Sequence, residues 1–198
     1  MHEAKQASEE EVDVPLTEFS PHRRQSDAGP QGEERAIAYE EIRQLAARYA
    51  LALGHCDLAA LVELYVPDII VAEGVQGREA LARHFDRALR AFDVHFVLVG
   101  THVINLQTAT QATGIVYSLA EFGDADKWYR QALAYEDHYE RCEGRWYFSR
   151  RRDHQLFYGC DTGLRPLAQP PANWPERVLG KGTIPETWLS WQEYHGAS

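Results

Sequence analysis

The sequence predicts an α+β fold, a curved antiparallel or mixed sheet wrapped around about three N-terminal helices. Three observations carry this expectation. Between Ile37 and Phe92 the apolar residues recur at steps of three and four, the period of a helix face. From Val94 to Asp153 the pattern becomes long runs rich in Val, Ile and aromatics, the composition of strands. The helical and strand blocks do not interleave, so the helices lie on one side of the sheet rather than in βαβ units. A sheet curled over helices forms a cone with one open mouth, a natural pocket for a small molecule.

The chain has 198 residues, 44% hydrophobic and 25% charged, which suits one domain with a core and tails. Residues 1 to 34 are polar and acidic with scattered Pro and Gly, and read as a disordered leader. Residues 35 to 162 form the folded domain. In its first helix Ile37, Ile42, Leu45, Tyr49, Ala52 and Leu53 share a face, and Gly54 permits a stop. Asp57 is placed to cap a second helix carrying Leu58, Leu61, Leu64 and Tyr65, which Pro67 ends. Ile69 to Ala72 is a short strand. Residues 79 to 92 make a third helix with Leu81, Phe85, Leu89 and Phe92 inward.

Strands follow at 94–106, with Gly100 a bulge point, and at 110–121. Two further runs flank Glu143-Gly144, a hairpin signal. Tyr135, Asp137 and Tyr139 share a face of the first run; Trp146, Phe148, Arg150 and Arg152 share one of the second. Residues 163 to 198 are a Pro-rich extension ending in a short helix around Trp188 and Trp191. Those tryptophans pack on the domain, over the pocket mouth or on a second subunit.

Charge and composition exclude several classes. A net charge of −10 argues against a nucleic-acid partner. No apolar run is long enough to span a membrane. The opening MHEAKQASEEEVDV lacks the features of a signal peptide, which predicts a cytoplasmic protein. Cys56, Cys142 and Cys160 share no metal-type spacing and read as free thiols. His55-Cys56-Asp57 are three adjacent residues, poorly placed to converge on one metal ion.

The segments YALALGHCDLAALVELYVPDI, GREALARHF, HFVLVGTHVINL, ATGIVYSLAE, YEDHYERCEGRWYFSRRR and IPETWLSW, in this order, resemble the SnoaL-like branch of the nuclear transport factor 2-like superfamily. That superfamily holds ketosteroid isomerases, scytalone dehydratase, polyketide cyclases and bile-acid dehydratases, beside non-catalytic binding proteins. The resemblance implies a cystatin-like α+β barrel, often dimeric through its sheet face. It implies a cofactor-independent lyase or isomerase acting on an apolar ring compound such as a steroid or polyketide. A non-catalytic ligand-binding or interaction module is the alternative.

Carried over residue by residue, the resemblance makes His95, Tyr49 and Glu121 the catalytic candidates: a base, a hydroxyl donor and a carboxylate. Gly54 stands where dehydratase-like members often carry Asp. Asp137, Tyr117, Tyr135, Trp146, His154 and Phe96 are candidate substrate-binding residues. Each has a plainer reading. His95 and Tyr49 can be satisfied core residues, and Asp137 can pair across the hairpin with Arg150 or Arg152. His102 has the wrong parity for the pocket unless Gly100 bulges the strand. No metal or organic cofactor is called for, and a homodimer is expected.

Overall fold

A computed structural model describes residues 29–124, 127–161 and 189–196, the side chains of 154–161 excepted. The leader up to residue 28 and the segment 162–188, with Trp188, lie outside the described residues.

Helix α1, Gly32–Gly54, buries Ala38, Ile42, Leu45, Ala46, Tyr49 and Ala52; of the face its apolar spacing predicts, Ile37 is exposed near the start of the helix and Leu53 is half-buried. Gly54 is still helical, and Cys56 takes the left-handed turn at φ 52°. Asp57 then caps α2, Leu58–Glu63, by accepting from the Ala60 N–H at 2.9 Å. A small hairpin of β1, Ile70–Ala72, and β2, Val75–Gln76, leads into α3, Arg78–Leu89, which buries Ala80, Leu81, Phe85 and Leu89.

Four strands follow: β3, Val94–Leu106; β4, Gln111–Asp124; β5, Lys127–Cys142; and β6, Arg145–Asp161. They pair antiparallel in the order β3-β4-β5-β6, a curved sheet that does not close. Glu143 and Gly144 both have positive φ, 50° and 82°, the geometry of a tight hairpin turn whose twist matches the strands. The helices pack on the inner face of this sheet. There β4 presents Ala112, Gly114, Val116, Ser118 and Ala120, small side chains that leave room for the larger ones of β5 and β6.

Two of the sheet's three register shifts decide which of the side chains described below face inward. Val99 pairs with Ser118 and His102 with Val116, so Gly100 and Thr101 together stand opposite Tyr117. Glycine is required there, because a Cβ at Gly100 would lie 2.9 Å from the Tyr117 carbonyl oxygen. Beyond this bulge the parity flips, and His102 turns to the same side as His95. The second irregularity lies in β6. Tyr139 pairs with Phe148 but His138 with Arg150, leaving Ser149 as the extra residue. Unbroken alternation had put Arg150 and Arg152 inward with Trp146 and Phe148. The bulge instead turns Arg151 inward opposite Asp137, and places Arg150 and Arg152 opposite His138 and Glu136.

The connection after α2 is tied to the edge strand beside that bulge. The Val66 N–H donates to the Phe148 carbonyl at 3.0 Å, and the Phe148 N–H to the Leu64 carbonyl at 2.9 Å. The Arg78 guanidinium donates to the carbonyls of Tyr65 and Glu63. Tyr65 is therefore held against the inner end of the sheet.

The C-terminal helix α4, Leu189–Gly196, packs on the domain near the end of α3, one of the three placements expected for the tail. The Trp191 indole N–H donates to the Asp93 carbonyl at 2.8 Å, and the Tyr194 hydroxyl lies 2.9 Å from the Asp86 carboxylate.

Candidate functional site

The inward side chains after the two bulges build one polar cluster inside an otherwise apolar core. At its centre is Arg151, whose side chain is 3% exposed. Aromatic faces surround its guanidinium: Tyr135 at 3.8 Å, Tyr49 at 4.2 Å and Phe148 at 4.7 Å from ring centroid to the guanidinium carbon. Asp137, fully buried, brings Oδ1 to 3.5 Å from Arg151 Nε. That is an ion pair but too long for a strong hydrogen bond. The other carboxylate oxygen, Oδ2, accepts from the Tyr139 hydroxyl at 2.8 Å, and the Tyr139 oxygen lies 3.0 Å from His102 Nε2. Since Tyr139 gives its proton to Asp137, His102 is the donor in the second bond, which fixes its proton on Nε2.

Burial sets the protonation of this cluster. It pushes Asp137 up to about 6, against the pull of Arg151 and the Tyr139 hydroxyl. It pushes His102 down to about 4, with Arg151 and Arg43 acting in the same direction. Burial works against the charge of Arg151, but Asp137 and the surrounding tyrosines hold its pKa above the usual value. Tyr49, Tyr65, Tyr135 and Tyr139 are all raised by burial, so their hydroxyls remain proton donors at neutral pH.

A cavity of about 180 Å³ opens on this cluster. Tyr49, Tyr65, Tyr135 and Arg151 line it together with the apolar side chains of Ile69, Leu81 and Phe85. His84, Arg150 and Asp153, all exposed, stand among its remaining lining residues. Among the described residues Asp153 is the one carboxylate in that lining, and its charge is felt by both Tyr49 and Tyr135. Asp137, Tyr139 and His102 are not in the lining; the buried Asp137 and Tyr139, with the half-buried His102, form a support behind Arg151.

Residues 34–152 match the model of the SnoaL-like domain. The chain belongs to the SnoaL-like domain family. No curated protein matches it. Among solved structures, the LinA-type3 hexachlorocyclohexane dehydrochlorinase of Novosphingobium barchaimii LL02 is 19% identical, covering 70% of this chain and 98% of its own at a TM-score of 0.60. A candidate scytalone dehydratase of Novosphingobium aromaticivorans DSM 12444 is 18% identical, covering 64% and 89% at 0.57. A cystatin-like, NTF2-like protein of Novosphingobium aromaticivorans is 27% identical, covering 62% and 84% at 0.52.

Within this SnoaL-like domain the expected trio of Tyr49, His95 and Glu121 does not converge. Tyr49 lines the cavity. His95 is buried elsewhere, its Nε2–H donating to the Leu89 carbonyl at 3.0 Å between Phe92 and Phe122. It closes the end of α3, and burial lowers its pKa. Glu121 falls on the outer face of β4, where it accepts from the Trp128 indole and from Arg130, each at 2.9 Å. Phe96 and Tyr117 also face outward, by the same alternation. Of the expected binding residues, Tyr135 lines the cavity and Asp137 stands behind it. Trp146 is buried and lines a separate recess with Glu41 and Arg48. The side chain of His154 lies outside the described residues.

Arg151, Tyr65 and Asp153 escaped the sequence reading, which turned His102 inward only if Gly100 bulged the strand. Tyr65 was legible only as a helix-face residue. The Gly100 bulge was legible and carries His102 inward. The Ser149 bulge has no glycine to mark it, and so Arg151 had no signal.

Proposed function

We propose that this SnoaL-like domain is a cofactor-independent lyase or isomerase working by acid–base chemistry on a small apolar ring compound. The observation that carries the reading is the convergence, on one aromatic-lined cavity, of a carboxylate, tyrosine hydroxyls and a buried guanidinium. Asp153 takes the proton from the carbon to be activated. Charge developing on a substrate oxygen is held by the hydroxyl of Tyr49 or Tyr135, which also supplies the proton for a departing hydroxyl. Arg151 sets a positive potential at the inner end, and Asp137, braced by Tyr139 and His102, positions it. Two neighbours of the same fold are a dehydrochlorinase and a candidate dehydratase, which supports elimination chemistry. Drug-sized ligand pockets span about 300–1,000 Å³. The 180 Å³ here suits one or two rings better than a steroid nucleus.

The test is turnover. A panel of cyclic hydroxy-ketones and related ring compounds identifies a substrate, and Asp153→Asn is then assayed on it. A fall in kcat of roughly 10²–10⁴ with unchanged circular dichroism is expected. An unchanged kcat removes Asp153 from the mechanism.

A second reading, ligand carriage without chemistry, is favoured by one specific observation. The buried carboxylates Glu136 and Asp137, the buried His95 and the half-buried His102 lie outside the cavity lining. It predicts that a bound ring compound is released unchanged and that Asp153→Asn holds it as the wild type does.

A further inference from the structure

We propose that the ligand of this cavity carries a carboxylate, and that the Arg151 guanidinium receives it. The inference rests on the cavity being the working site and names the class of molecule it takes.

Nε, Nη1 and Nη2 of Arg151 have no hydrogen-bond partner among the described residues, although the side chain is almost wholly buried. Asp137 offers Oδ1 at 3.5 Å from Nε but leaves both Nη atoms without an acceptor. The rings of Tyr135, Tyr49 and Phe148 attract the cation through their faces, up to about 2 kcal/mol for a desolvated contact. They accept no ordinary hydrogen bond from its edge. A buried donor left unpaired costs about 1–3 kcal/mol, more when charged, and buried guanidinium groups are ordinarily bonded on several N–H groups. The acceptor this arrangement lacks is one that enters through the cavity.

The rest of the lining narrows its chemistry. Around Arg151 the polar groups of the inner end are the hydroxyls of Tyr49, Tyr65 and Tyr135, all proton donors. A planar carboxylate matches a guanidinium edge with two parallel bonds and takes further bonds from hydroxyls. A phosphate dianion fits less well, because among the described residues the inner end holds a single cation, already shared with Asp137. Leu81, Phe85 and Ile69 supply apolar walls for a ring. At the exposed rim Arg150 and Asp153 offset each other, so the entrance does not repel an anion outright.

The test uses benzoate and its neutral counterpart benzyl alcohol, titrated into the full wild-type chain by calorimetry. Benzoate is expected to bind at least about ten-fold tighter, the size of one charge-assisted interaction. Its titration moves the ¹⁵N resonance of Arg151 Nε, and benzyl alcohol leaves that resonance in place. In Arg151→Gln, checked for folding by circular dichroism, the preference disappears while benzyl alcohol still binds. Equal or tighter binding of benzyl alcohol overturns the proposal, as does a preference for benzoate that survives in Arg151→Gln. If that variant does not fold, the wild-type selectivity and the Nε resonance decide the matter alone. Binding of neither ring overturns both this proposal and the cavity as the working site. Benzoate has nothing to eliminate or isomerise, so these outcomes are independent of the turnover of Asp153→Asn.

Discussion

His102 and Asp137 sit on either side of one tyrosine hydroxyl, and burial has driven them in opposite directions from their ordinary pKa values. The folded value for His102, about 4, lies below the roughly 6.5 of an unfolded histidine. Its contribution to stability is present above pH 6.5 and is lost as pH falls through 4. The folded value for Asp137, about 6, lies above the roughly 3.9 of an unfolded aspartate. Its contribution is present below about pH 4 and is lost as pH rises through 6. Between these limits the two oppose each other. Arg151 and Arg43 act on His102 in the direction of burial, while Arg151 and Tyr139 resist the rise at Asp137 and Glu136 adds to it. His102→Gln keeps an N–H donor for Tyr139 and deletes only the histidine titration. Its stability relative to the wild type should therefore rise as pH is lowered from 7 to 4.5, by about 1–2 kcal/mol after allowing for partial exposure. Urea unfolding at the two pH values measures it. A difference independent of pH would mean that His102 titrates as it does in the unfolded chain.

The elements that carry these residues depend on where side chains are missing as much as on where they are present. On the inner face of β4, Gly114 lies opposite Asp137, and the Tyr139 ring occupies the space a side chain would need. A Cβ there would approach the Val103 carbonyl oxygen to 2.9 Å and the Tyr139 ring to 3.1 Å. The carbonyl belongs to a paired strand and cannot yield cheaply, whereas the ring can shift and lose its bond to Asp137. Gly114→Ala is expected to cost about 1–3 kcal/mol through overpacking. It should also displace the Tyr139 hydroxyl, a change visible in thermal unfolding and in the tyrosine near-ultraviolet signal. Full stability in this variant would show that the strands pack less closely at this point than the structure has them. The bulges at Gly100 and Ser149 act by a different route, since each turns the stretch of strand that follows it over by one residue.

At the scale of the whole molecule, the outer face of β3 and β4 carries an apolar patch. Phe96, Leu98, Val103, Tyr117 and Leu119 are each between 47% and 54% exposed, and Leu98 stands directly across from Leu119. Glu121 and Arg130 border this patch on one side, and Glu136 and Arg152 stand opposite each other on β5 and β6. An apolar centre with a polar rim is the anatomy of an interface. We propose that a second copy of the chain covers it, because one face meeting its own copy about a two-fold axis closes the assembly. Sedimentation at micromolar concentration should give a dimer, and Leu119→Glu should give a folded monomer. A monomeric mass for the wild type would contradict the proposal. Among the described residues no helix is long and apolar enough to cross a membrane.

The α1 stripe, the Asp57 cap, the turn at Glu143-Gly144 and the division into helices and sheet were all legible in the residues. Each is a local matter: a helix face repeats every three or four residues, a cap acts across three, and a turn needs its own backbone angles. Family membership was legible for the same reason, as an ordered string of such local patterns. Tyr49, Tyr135 and Asp137 were found because no bulge separates them from the residues that set their faces. Which arginine faces inward was a tertiary decision. A strand has a period of two, so one extra residue reverses every side chain after it, and the Ser149 bulge is set by the clamp of Leu64 and Val66 on Phe148. Burial then decided the chemistry, because the protonation of Asp137, His102 and the tyrosines depends on the water removed around them, which no spacing in the chain records.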